Sequence, residues 1–249
     1  MVSMEAIDVV MLTKNSEHLL DECLQSIYEN VPIKRLIVID GFSTDNTLKI
    51  LEEYNKKHGN VKVISERGTR GEAREKGIRD VETDWFMFVD SDVVLCKDWF
   101  KKASRHIRED VGAIWGVDIP REMKNGFLKM LLQHMEARVF DIRGGCHDIL
   151  IRCDAVSDMR IPSVLHTLED AYIKEWIEAK NYKVIASYDA YCKHYKNVGG
   201  LLSKENRLST VSELRNVRFV KERLVYAAVF TLVWFLQEVK TKQRKSVVV

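Results

Sequence analysis

At positions 85–92 the sequence reads WFMFVDSD, so five apolar residues stand directly before two aspartates, Asp90 and Asp92. The apolar run predicts a buried strand. The aspartates follow at its end, where a parallel sheet opens towards a ligand crevice. Because residues two apart in an extended chain point the same way, both carboxylates are expected to face one target.

Paired carboxylates at a strand end have two explanations. They repel each other unless a cation or hydrogen-bond donors offset their charge, and Mg²⁺ binds proteins through one or two carboxylates together with substrate phosphates. The alternative is a solvated turn that happens to contain two aspartates, because Asp-x-Asp triplets are common. The triplet alone leaves both explanations open.

Strand patterns alternate with helical patterns through the first half of the chain. Strands are predicted at 7–12, 36–39, 61–64 and 85–89, and helices near 17–30, 44–58 and 70–80. The segment Ser43-Thr44-Asp45 supplies a start signal for the second helix. This βαβαβαβ order predicts an α/β fold whose mostly parallel sheet is covered by helices on both faces.

The second half of the chain continues with shorter patterns. Further strands are predicted at 113–119, 149–152 and 182–187, and further helices from near Asp98, at 126–140 and at 169–180. Gly144-Gly145 precedes the strand at 149–152. The amphipathic helix 126–140 is expected to pack on the domain.

Charge is unevenly distributed along the chain. The 249 residues have a net charge of +2, whereas residues 196–249 contain 11 Lys/Arg and 4 Asp/Glu. A basic C-terminal part beside a mildly acidic remainder indicates an anionic partner, and membrane lipid is the first candidate. We therefore expect a main domain at 1–198 and a helical tail at 199–249.

An uncharged stretch of 14 residues, Leu224–Gln237, lies within this tail. As a helix it would be about 21 Å long, which is short of the roughly 30 Å hydrocarbon core of a bilayer. Three alternatives stay open: the tail lies in the membrane interface, forms a short span, or packs on another subunit. The length of the stretch favours the interface.

The five cysteines indicate a reducing compartment. They include no Cys-x-x-Cys pair and their number is odd, so we interpret them as reduced thiols of a cytoplasmic protein. A zinc site made of Cys146, His147 and Cys153 fits no standard spacing, and ordinary buried thiols are favoured. The N-terminus has no basic region followed by an apolar stretch, so no signal peptide is expected.

Four further segments resemble, in order, motifs of the family 2 glycosyltransferases with the GT-A fold. They are VVMLTKN at 9–15, LIVIDGFSTDNT at 36–47, GEAREKGI at 71–78 and LED at 168–170. The resemblance covers about residues 6–195 and rests on the order and spacing of these motifs. It implies a Rossmann-like GT-A catalytic domain at 1–198, with residues 199–249 as an appendage, and transfer of a sugar from a nucleotide sugar.

The resemblance implies a set of donor-binding residues at the ends of the first strands. Thr13, Asn15 and Asp40 match positions around the base and ribose, and a carboxylate accepts hydrogen bonds from a base N–H or a ribose hydroxyl. Arg74 matches a position near the phosphates, which a guanidinium binds bidentately. Ser91 belongs to the same implied set. Turn capping, and surface charge in the case of Arg74, are the alternatives.

The resemblance also implies a metal site. Asp92 is the implied ligand, Asp90 would touch the ribose or a metal-bound water, and a His in the region of His194 completes the metal shell in some relatives. The implied ion is Mn²⁺ or Mg²⁺, and imidazole suits Mn²⁺ better. A divalent cation that bridges both phosphates stabilises the charge on the leaving group. A purely structural role is the alternative for His194.

Asp170 resembles the catalytic base of the family. A carboxylate within hydrogen-bond reach of the acceptor hydroxyl takes its proton during attack on the sugar carbon, which implies one displacement with inversion. Glu169 would orient Asp170 or the acceptor. Two acids at a helix N-terminus are also favoured by the helix dipole, and both explanations can hold together.

These expectations combine into a metal-dependent, inverting glycosyltransferase that moves a single sugar. Processive relatives carry Gln-x-x-Arg-Trp, whereas the nearest match here, KENRL at 204–208, has neither the Gln nor the Trp. The donor is a UDP- or GDP-sugar. The acceptor is the hydroxyl or phosphate of a saccharide or polyprenyl-phosphate-linked molecule at the cytoplasmic membrane face. The expected partners also include the membrane surface and a homo-oligomer, but no nucleic acid.

Two other functions remain as alternatives. A nucleotidyltransferase that makes sugar nucleotides would share the sheet and the paired acids, but the first strand is followed by TKNS at 13–16 instead of a glycine-rich loop. A non-catalytic binding subunit would not need Asp90, Asp92 and Asp170 together. The transferase is therefore the preferred interpretation.

Overall fold

The computed structural model describes residues 6–120 and 145–195 together with Glu213, and for residues 118–120 the backbone alone. The predicted helix at 126–140 and the predicted tail at 199–249, apart from Glu213, lie outside these residues. No helix in the described ranges has the length and apolar character needed to cross a bilayer.

The described residues form eight strands and six helices in an α/β arrangement. In chain order they are β1 Ile7–Thr13, α1 Glu17–Asn30, β2 Ile33–Asp40, α2 Thr47–His58, β3 Val61–Ser65, α3 Arg70–Asp80, β4 Trp85–Asp90, β5 Val93–Leu95, α4 Trp99–Ala103, β6 Val111–Pro120, β7 Asp148–Arg152, α5 Cys153–Val156, α6 Glu169–Ala179 and β8 Lys183–His194. A single 3₁₀ turn, Ser104–His106, follows α4.

All eight strands belong to one sheet, in the order β3-β2-β1-β4-β7-β6-β8-β5. The first four strands along the chain pair in parallel, as the βαβ pattern predicts. Strand β7 runs antiparallel to both β4 and β6, and β5 runs antiparallel to β8. The sheet is therefore mixed, with a parallel half that follows from the sequence pattern and a second half that adds antiparallel pairings.

Side chains alternate between two apolar cores along the central strands. On β4, Met87 and Val89 lie in one core, while Phe86 and Phe88 lie in the other. Helices α1 and α4 contribute to the first core, and α3, α5 and α6 to the second. Because both faces of the sheet are covered at its centre, strands β1 and β4 consist of nearly continuous apolar runs.

Helix α2 begins later than its start signal suggests. The sequence predicts a helix from residue 44, but the helix starts at Thr47 with Asn46 as its N-cap residue. Asp45 accepts a hydrogen bond from the backbone N–H of Thr47 at 3.0 Å. Ser43 Oγ donates instead to the carboxylate of Asp40 at the end of strand β2. Ser43 is therefore not part of the helix start.

Helix α3 approaches the sheet closely at Gly77. A Cβ atom at this position would lie 2.4 Å from Cγ1 of Val10 on β1. The absence of a side chain lets the helix backbone rest directly on the strand. This contact fixes the distance between α3, which carries Arg74, and the end of the sheet.

Candidate active site

Three parallel strands bring their carboxyl ends to one edge of the sheet. The pairing of β1 with β2 sets Thr13 beside Asp40, and the pairing of β1 with β4 sets Leu12 beside Asp90. Residues that lie far apart in sequence are thereby neighbours, since parallel strands end at the same side. This edge carries most of the side chains that the sequence predicts for the site.

Asp40 is buried and held in a fixed orientation. Its Oδ1 atom accepts hydrogen bonds from Thr13 Oγ1 at 3.1 Å and from Ser43 Oγ at 2.6 Å. Its Oδ2 atom accepts one from the backbone N–H of Ser43 at 2.9 Å. The turn-capping role is therefore present. A carboxylate offers about four lone-pair positions, so it retains capacity for a ligand donor.

Asn15 connects the loops that follow β1 and β2. Its backbone N–H donates to Ser43 Oγ at 2.9 Å, and its Oδ1 atom accepts from the backbone N–H of Thr44 at 2.9 Å. The residue has a φ of 51°, a conformation that Asn adopts more readily than most residues. Ser16 then joins this loop to Ser91, with their hydroxyl oxygens 2.9 Å apart.

Asp90, Asp92 and His194 come together beside these loops. Each offers one ligand atom, and these atoms lie within 4.8 Å of one another. His194 Nε2 is 3.2 Å from Asp92 Oδ1, because the antiparallel pairing of β5 with β8 sets His194 opposite Val93. Burial acts to raise the pKa of Asp90, but Arg74, His194 and His147 outweigh it and hold the pKa below its ordinary value.

This cluster fits a divalent cation. Two carboxylates and one imidazole supply oxygen and nitrogen ligands, a mixture that suits Mn²⁺ better than Mg²⁺. The side chains of Asp90 and Asp92 are 31% and 40% exposed, so the cluster is open to an incoming phosphate. Asp90 and Asp92 are neighbours because they are two positions apart in the sequence, whereas their closeness to His194 depends on the pairing of β5 with β8.

Arg74 is buried between the two groups of acids. Its Nη2 atom donates to Asp90 Oδ1 at 3.1 Å and its Nε atom to Glu169 Oε1 at 3.4 Å. The guanidinium carbon lies 4.9 Å from the centre of the Phe88 ring. Burial acts to lower the pKa of Arg74, but Cys146, Asp90 and Glu169 raise it overall. Arg74 is thus a buried counter-ion, and the surface-charge alternative is wrong for it.

Two other arginines, just before and at the start of α3, are exposed. Arg67 stacks on the ring of Phe42, with its guanidinium carbon 4.4 Å from the ring centre. Arg70 is the first residue of α3 and is also exposed. Neither is drawn into the buried group of acids.

Glu169 and Asp170 open helix α6 and are both buried. Burial raises the pKa of Glu169, the neighbouring Asp170 adds to this rise, and Arg74 opposes it. Oε2 of Glu169 is buried and makes no hydrogen bond within the described residues. Asp170 Oδ1 accepts from the backbone N–H of Ala171 at 2.8 Å. The helix-terminus explanation therefore holds here, and the catalytic role of Asp170 stays a prediction.

The acids of α6 and of β4 lie near each other, because Arg74 donates to Glu169 and to Asp90. The buried thiol of Cys146 illustrates this, because burial raises its pKa, Arg74 lowers it, and Asp170, Glu169 and Asp90 raise it further. A single side chain thus lies within electrostatic range of all four charged groups. Hydrogen bonds join Arg74 to Asp90 and to Glu169, and Asp170, the predicted base, is the next residue along α6.

A buried group of side chains, which no sequence pattern predicts, lies next to the candidate metal ligands Asp90 and His194. His147 pairs with Asp148, and Cys192 Sγ lies 3.6 Å from His147 Nδ1. Trp99 Nε1 donates to Asp148 Oδ2 at 2.9 Å, and the carbonyl of His147 accepts from the backbone N–H of Asp90 at 3.0 Å. The group therefore supports the end of β4.

The zinc alternative considered for Cys146 and Cys153 gains no support from this geometry. The His147, Asp148 and Cys192 group has its ligand atoms within 4.8 Å of one another, and it includes neither of those cysteines. None of the five cysteines, all of which lie within the described residues, forms a disulfide bond.

Solved structures share this fold. The mannosyltransferase PcManGT from Pyrobaculum calidifontis, in complex with GDP-Man and Mn²⁺, gives a TM-score of 0.64 at 18% identity, over 83% of this chain and 61% of that one. TarS 1–349 from S. aureus, in complex with UDP-GlcNAc, gives 0.61 at 23% identity, over 86% of this chain and 68% of that one. At these identities the likeness shows the fold alone, and the fold is GT-A.

Two curated relatives with identities above 30% match less than half of the chain. A poly(ribitol-phosphate) beta-glucosyltransferase of Bacillus spizizenii is 38% identical over 92 residues, which cover 34% of this chain and 14% of the relative. Poly(ribitol-phosphate) beta-N-acetylglucosaminyltransferase TarS of Staphylococcus aureus is 35% identical over 107 residues, 41% of this chain and 18% of the relative. The matches thus span less than a fifth of these relatives.

A longer match comes from an uncharacterized glycosyltransferase of Haemophilus influenzae, 21% identical over 235 residues, which cover 90% of this chain and 91% of the relative. The model of the family described as glycosyl transferase family 2 matches residues 8–161, more than half of the chain. On the strength of that match, the chain belongs to glycosyl transferase family 2.

Proposed function

We propose that this chain transfers a single sugar from a UDP- or GDP-sugar to an acceptor, with inversion at the anomeric carbon. The observation that carries the proposal is that Arg74 contacts two groups of acids, which have different neighbours. One group, Asp90 and Asp92 with His194, suits a metal diphosphate. The other, Glu169 and Asp170, begins helix α6, and Glu169 accepts from a second nitrogen atom of the same arginine.

The donor side is built from the loops at the edge of the sheet. Thr13, Asn15 and Asp40 receive the base and ribose, since Asp40 retains acceptor capacity for N–H or O–H groups. Asp92 and His194 hold Mn²⁺ or Mg²⁺ with Asp90, and the bound ion supplies charge stabilisation to the leaving diphosphate. Ser91 stands between the two aspartates, and its hydroxyl fixes the loop through Ser16.

The acceptor side performs one proton transfer. Asp170 takes the proton of the acceptor hydroxyl while that oxygen forms a bond to the anomeric carbon. The bond from this carbon to the diphosphate oxygen breaks, and its electron pair leaves with the diphosphate. For an acceptor that is already an ionised phosphate, no proton needs to move. Glu169, held by Arg74, keeps the first turn of α6 in place.

The basic tail supports a second part of the proposal. Lys and Arg outnumber Asp and Glu in residues 196–249, and they flank the uncharged stretch Leu224–Gln237. Cationic residues beside an apolar segment bind the anionic surface of the cytoplasmic leaflet. We therefore place the enzyme at that surface, with a lipid-linked saccharide or polyprenyl phosphate as acceptor.

Titration calorimetry tests the donor site directly. UDP and GDP are each titrated into the full chain with and without Mn²⁺, and the same titrations are run with Asp92→Ala. Asp84→Ala, an exposed aspartate just before β4, is the matched control. Metal-dependent binding of one diphosphate that is lost only in Asp92→Ala is the expected result. Absence of binding under every condition would remove the basis of the proposal.

A further inference from the structure

Glu213 reaches the catalytic helix from a distant part of the sequence. Its side chain is buried, with only 1% of the residue exposed. Oε2 of Glu213 accepts hydrogen bonds from the backbone N–H of Thr167 at 2.8 Å, from Thr167 Oγ1 at 3.1 Å and from the backbone N–H of Leu168 at 3.0 Å. One carboxylate therefore holds three donors in the loop that leads into α6.

These contacts lie at the start of α6, where the N-cap residue has no capping side chain. Leu168 occupies the N-cap position of α6, and its side chain has no acceptor to offer. Glu213 accepts from the backbone N–H of Leu168 itself and of Thr167 before it, and a negative charge at this end is favoured by the helix dipole. Its bond to the N–H of the N-cap residue is the one that a Glu or Gln at the N3 position makes in a capping box.

The loop that Glu213 holds is also fixed on its other side. The backbone N–H of Gly71, in the first turn of α3, donates to the carbonyl of Leu165 at 3.1 Å. Gly71 carries no Cβ, which would lie 2.7 Å from Ile161 Cγ2. Residues 165–168 are therefore clamped between α3 and Glu213, immediately before Glu169 and Asp170.

We propose that Glu213 is a positioning residue for catalysis, which orients the first turn of α6 so that Asp170 meets the acceptor. The inference rests on the proposed function and extends it to the part of the chain that the sequence assigns to the tail. Its consequence is that the chemical step, more than donor binding, depends on a residue outside the donor motifs. If Glu213 had only a structural role, its replacement would lower stability and donor binding as much as it lowers turnover.

The experiment compares Glu213→Gln, Glu213→Asp and Glu53→Gln with the unaltered full chain. Glu53 is an exposed glutamate on α2 and serves as the matched control. Hydrolysis of UDP-glucose, UDP-GlcNAc and GDP-mannose in the presence of Mn²⁺ gives kcat and KM with water as the acceptor. Calorimetric binding of UDP and GDP, and hydrogen exchange of the backbone amides of 165–171, are measured on the same samples.

We expect Glu213→Gln to lower kcat by about tenfold to a hundredfold, as loss of positioning does, with nucleotide affinity within about twofold of the unaltered chain. Exchange at Thr167 and Leu168 should rise, and Glu213→Asp should recover part of kcat. An active chain whose kcat is unchanged by Glu213→Gln, or whose kcat and nucleotide affinity fall together, would overturn the inference alone. A chain that hydrolyses none of the donors would overturn the proposed function, and this inference with it.

Discussion

A single residue, Arg74, offsets the negative charge of both groups of acids. Carboxylates that lie close together repel each other, as in the pairs Asp90 and Asp92 and Glu169 and Asp170. Burial increases the free-energy cost of this repulsion. The guanidinium donates to Asp90 and to Glu169 with different nitrogen atoms, so one cation offsets both groups. The planar fork of arginine can do this where the single ammonium of lysine cannot.

Arg74→Ala is predicted to destabilise the fold. Glu169, with only 5% of its side chain exposed, would lose its counter-ion, and breaking a buried ion pair costs about 3 kcal/mol of unfolding free energy. Urea denaturation measures this loss. Arg79→Ala is the matched control on the same helix, because Arg79 is 54% exposed and an exposed helical pair contributes only about 0.5 kcal/mol. Equal losses in the two variants would contradict the role of Arg74.

Glu169→Gln is predicted to change how stability depends on pH. The raised pKa of Glu169 means that the folded chain binds its proton more tightly than the unfolded chain does. Stability is therefore lost as pH rises from the ordinary Glu value towards the raised one. Gln does not ionise and avoids this loss.

The measurement for this variant is the difference in Tm from the unaltered chain at two pH values. The difference, variant minus unaltered, should be more positive at pH 7.5 than at pH 4.5. Glu178→Gln, a more exposed glutamate on the same helix, controls for changes in helix propensity. A difference independent of pH would mean that Glu169 titrates normally in the folded chain.

At the scale of elements, α3 is the part that joins the two halves of the site. Its N-terminus has a capping box between Thr69 and Glu72, which fixes where the helix begins. Gly71 then contacts the loop before α6, Arg74 contacts the acids, and Gly77 rests on β1. The glycines make this helix a poor independent helix former, so its position depends on packing.

Gly71→Ala is predicted to lower stability although Ala is the better helix former. Replacing a helical Gly by Ala normally gains about 1 kcal/mol. Here the new Cβ would lie 2.9 Å from the carbonyl oxygen of Leu165, and overpacking of this kind costs about 1–3 kcal/mol. Urea denaturation should show a net loss, and Arg70→Ala, at the exposed neighbouring position, should show none. A net gain in stability for Gly71→Ala would mean that the loop at Leu165 moves aside at little cost in free energy.

At the scale of the whole molecule, charge separates the chain into two regions. The basic residues of 196–249 offset a mildly acidic remainder, so the net charge of +2 conceals a strong asymmetry. Such asymmetry orients a protein on an anionic surface. The prediction at this scale therefore concerns membrane binding of the full chain.

Reversal of the last basic cluster is predicted to abolish binding to anionic vesicles. Each Lys or Arg near an anionic membrane contributes about 1 kcal/mol. Flotation with phosphatidylglycerol vesicles should retain the unaltered chain and lose the variant in which Lys240, Lys242, Arg244 and Lys245 are changed to Glu.

The matched control for the flotation changes four exposed lysines of the main domain, Lys49, Lys56, Lys57 and Lys97, to Glu. It makes the same change in net charge and leaves Glu213 and the tail intact. Equal flotation of all three chains would remove the membrane proposal, and equal loss in both variants would mean that overall charge, not the tail, governs binding.

Much of the parallel half of the fold follows from sequence because its signals are local. The apolar runs before Thr13, Asp40 and Asp90 predict strands β1, β2 and β4, and each polar residue ends its strand as expected. The antiparallel pairings of β7 and β5 have no such signal, because a short apolar run does not specify its neighbour or its direction. The late start of α2 likewise depends on a contact between Ser43 and Asp40.

The family, the alternation of strands and helices, and the acids at the strand ends follow from the sequence, because strand periodicity and motif spacing are properties of contiguous residues. Three contacts follow only from the fold: His194 approaches Asp92, Arg74 is a buried counter-ion to Asp90 and Glu169, and Glu213 binds the loop that leads into α6. These contacts join residues far apart in the chain, and only the packing of the elements brings their charges within range of one another.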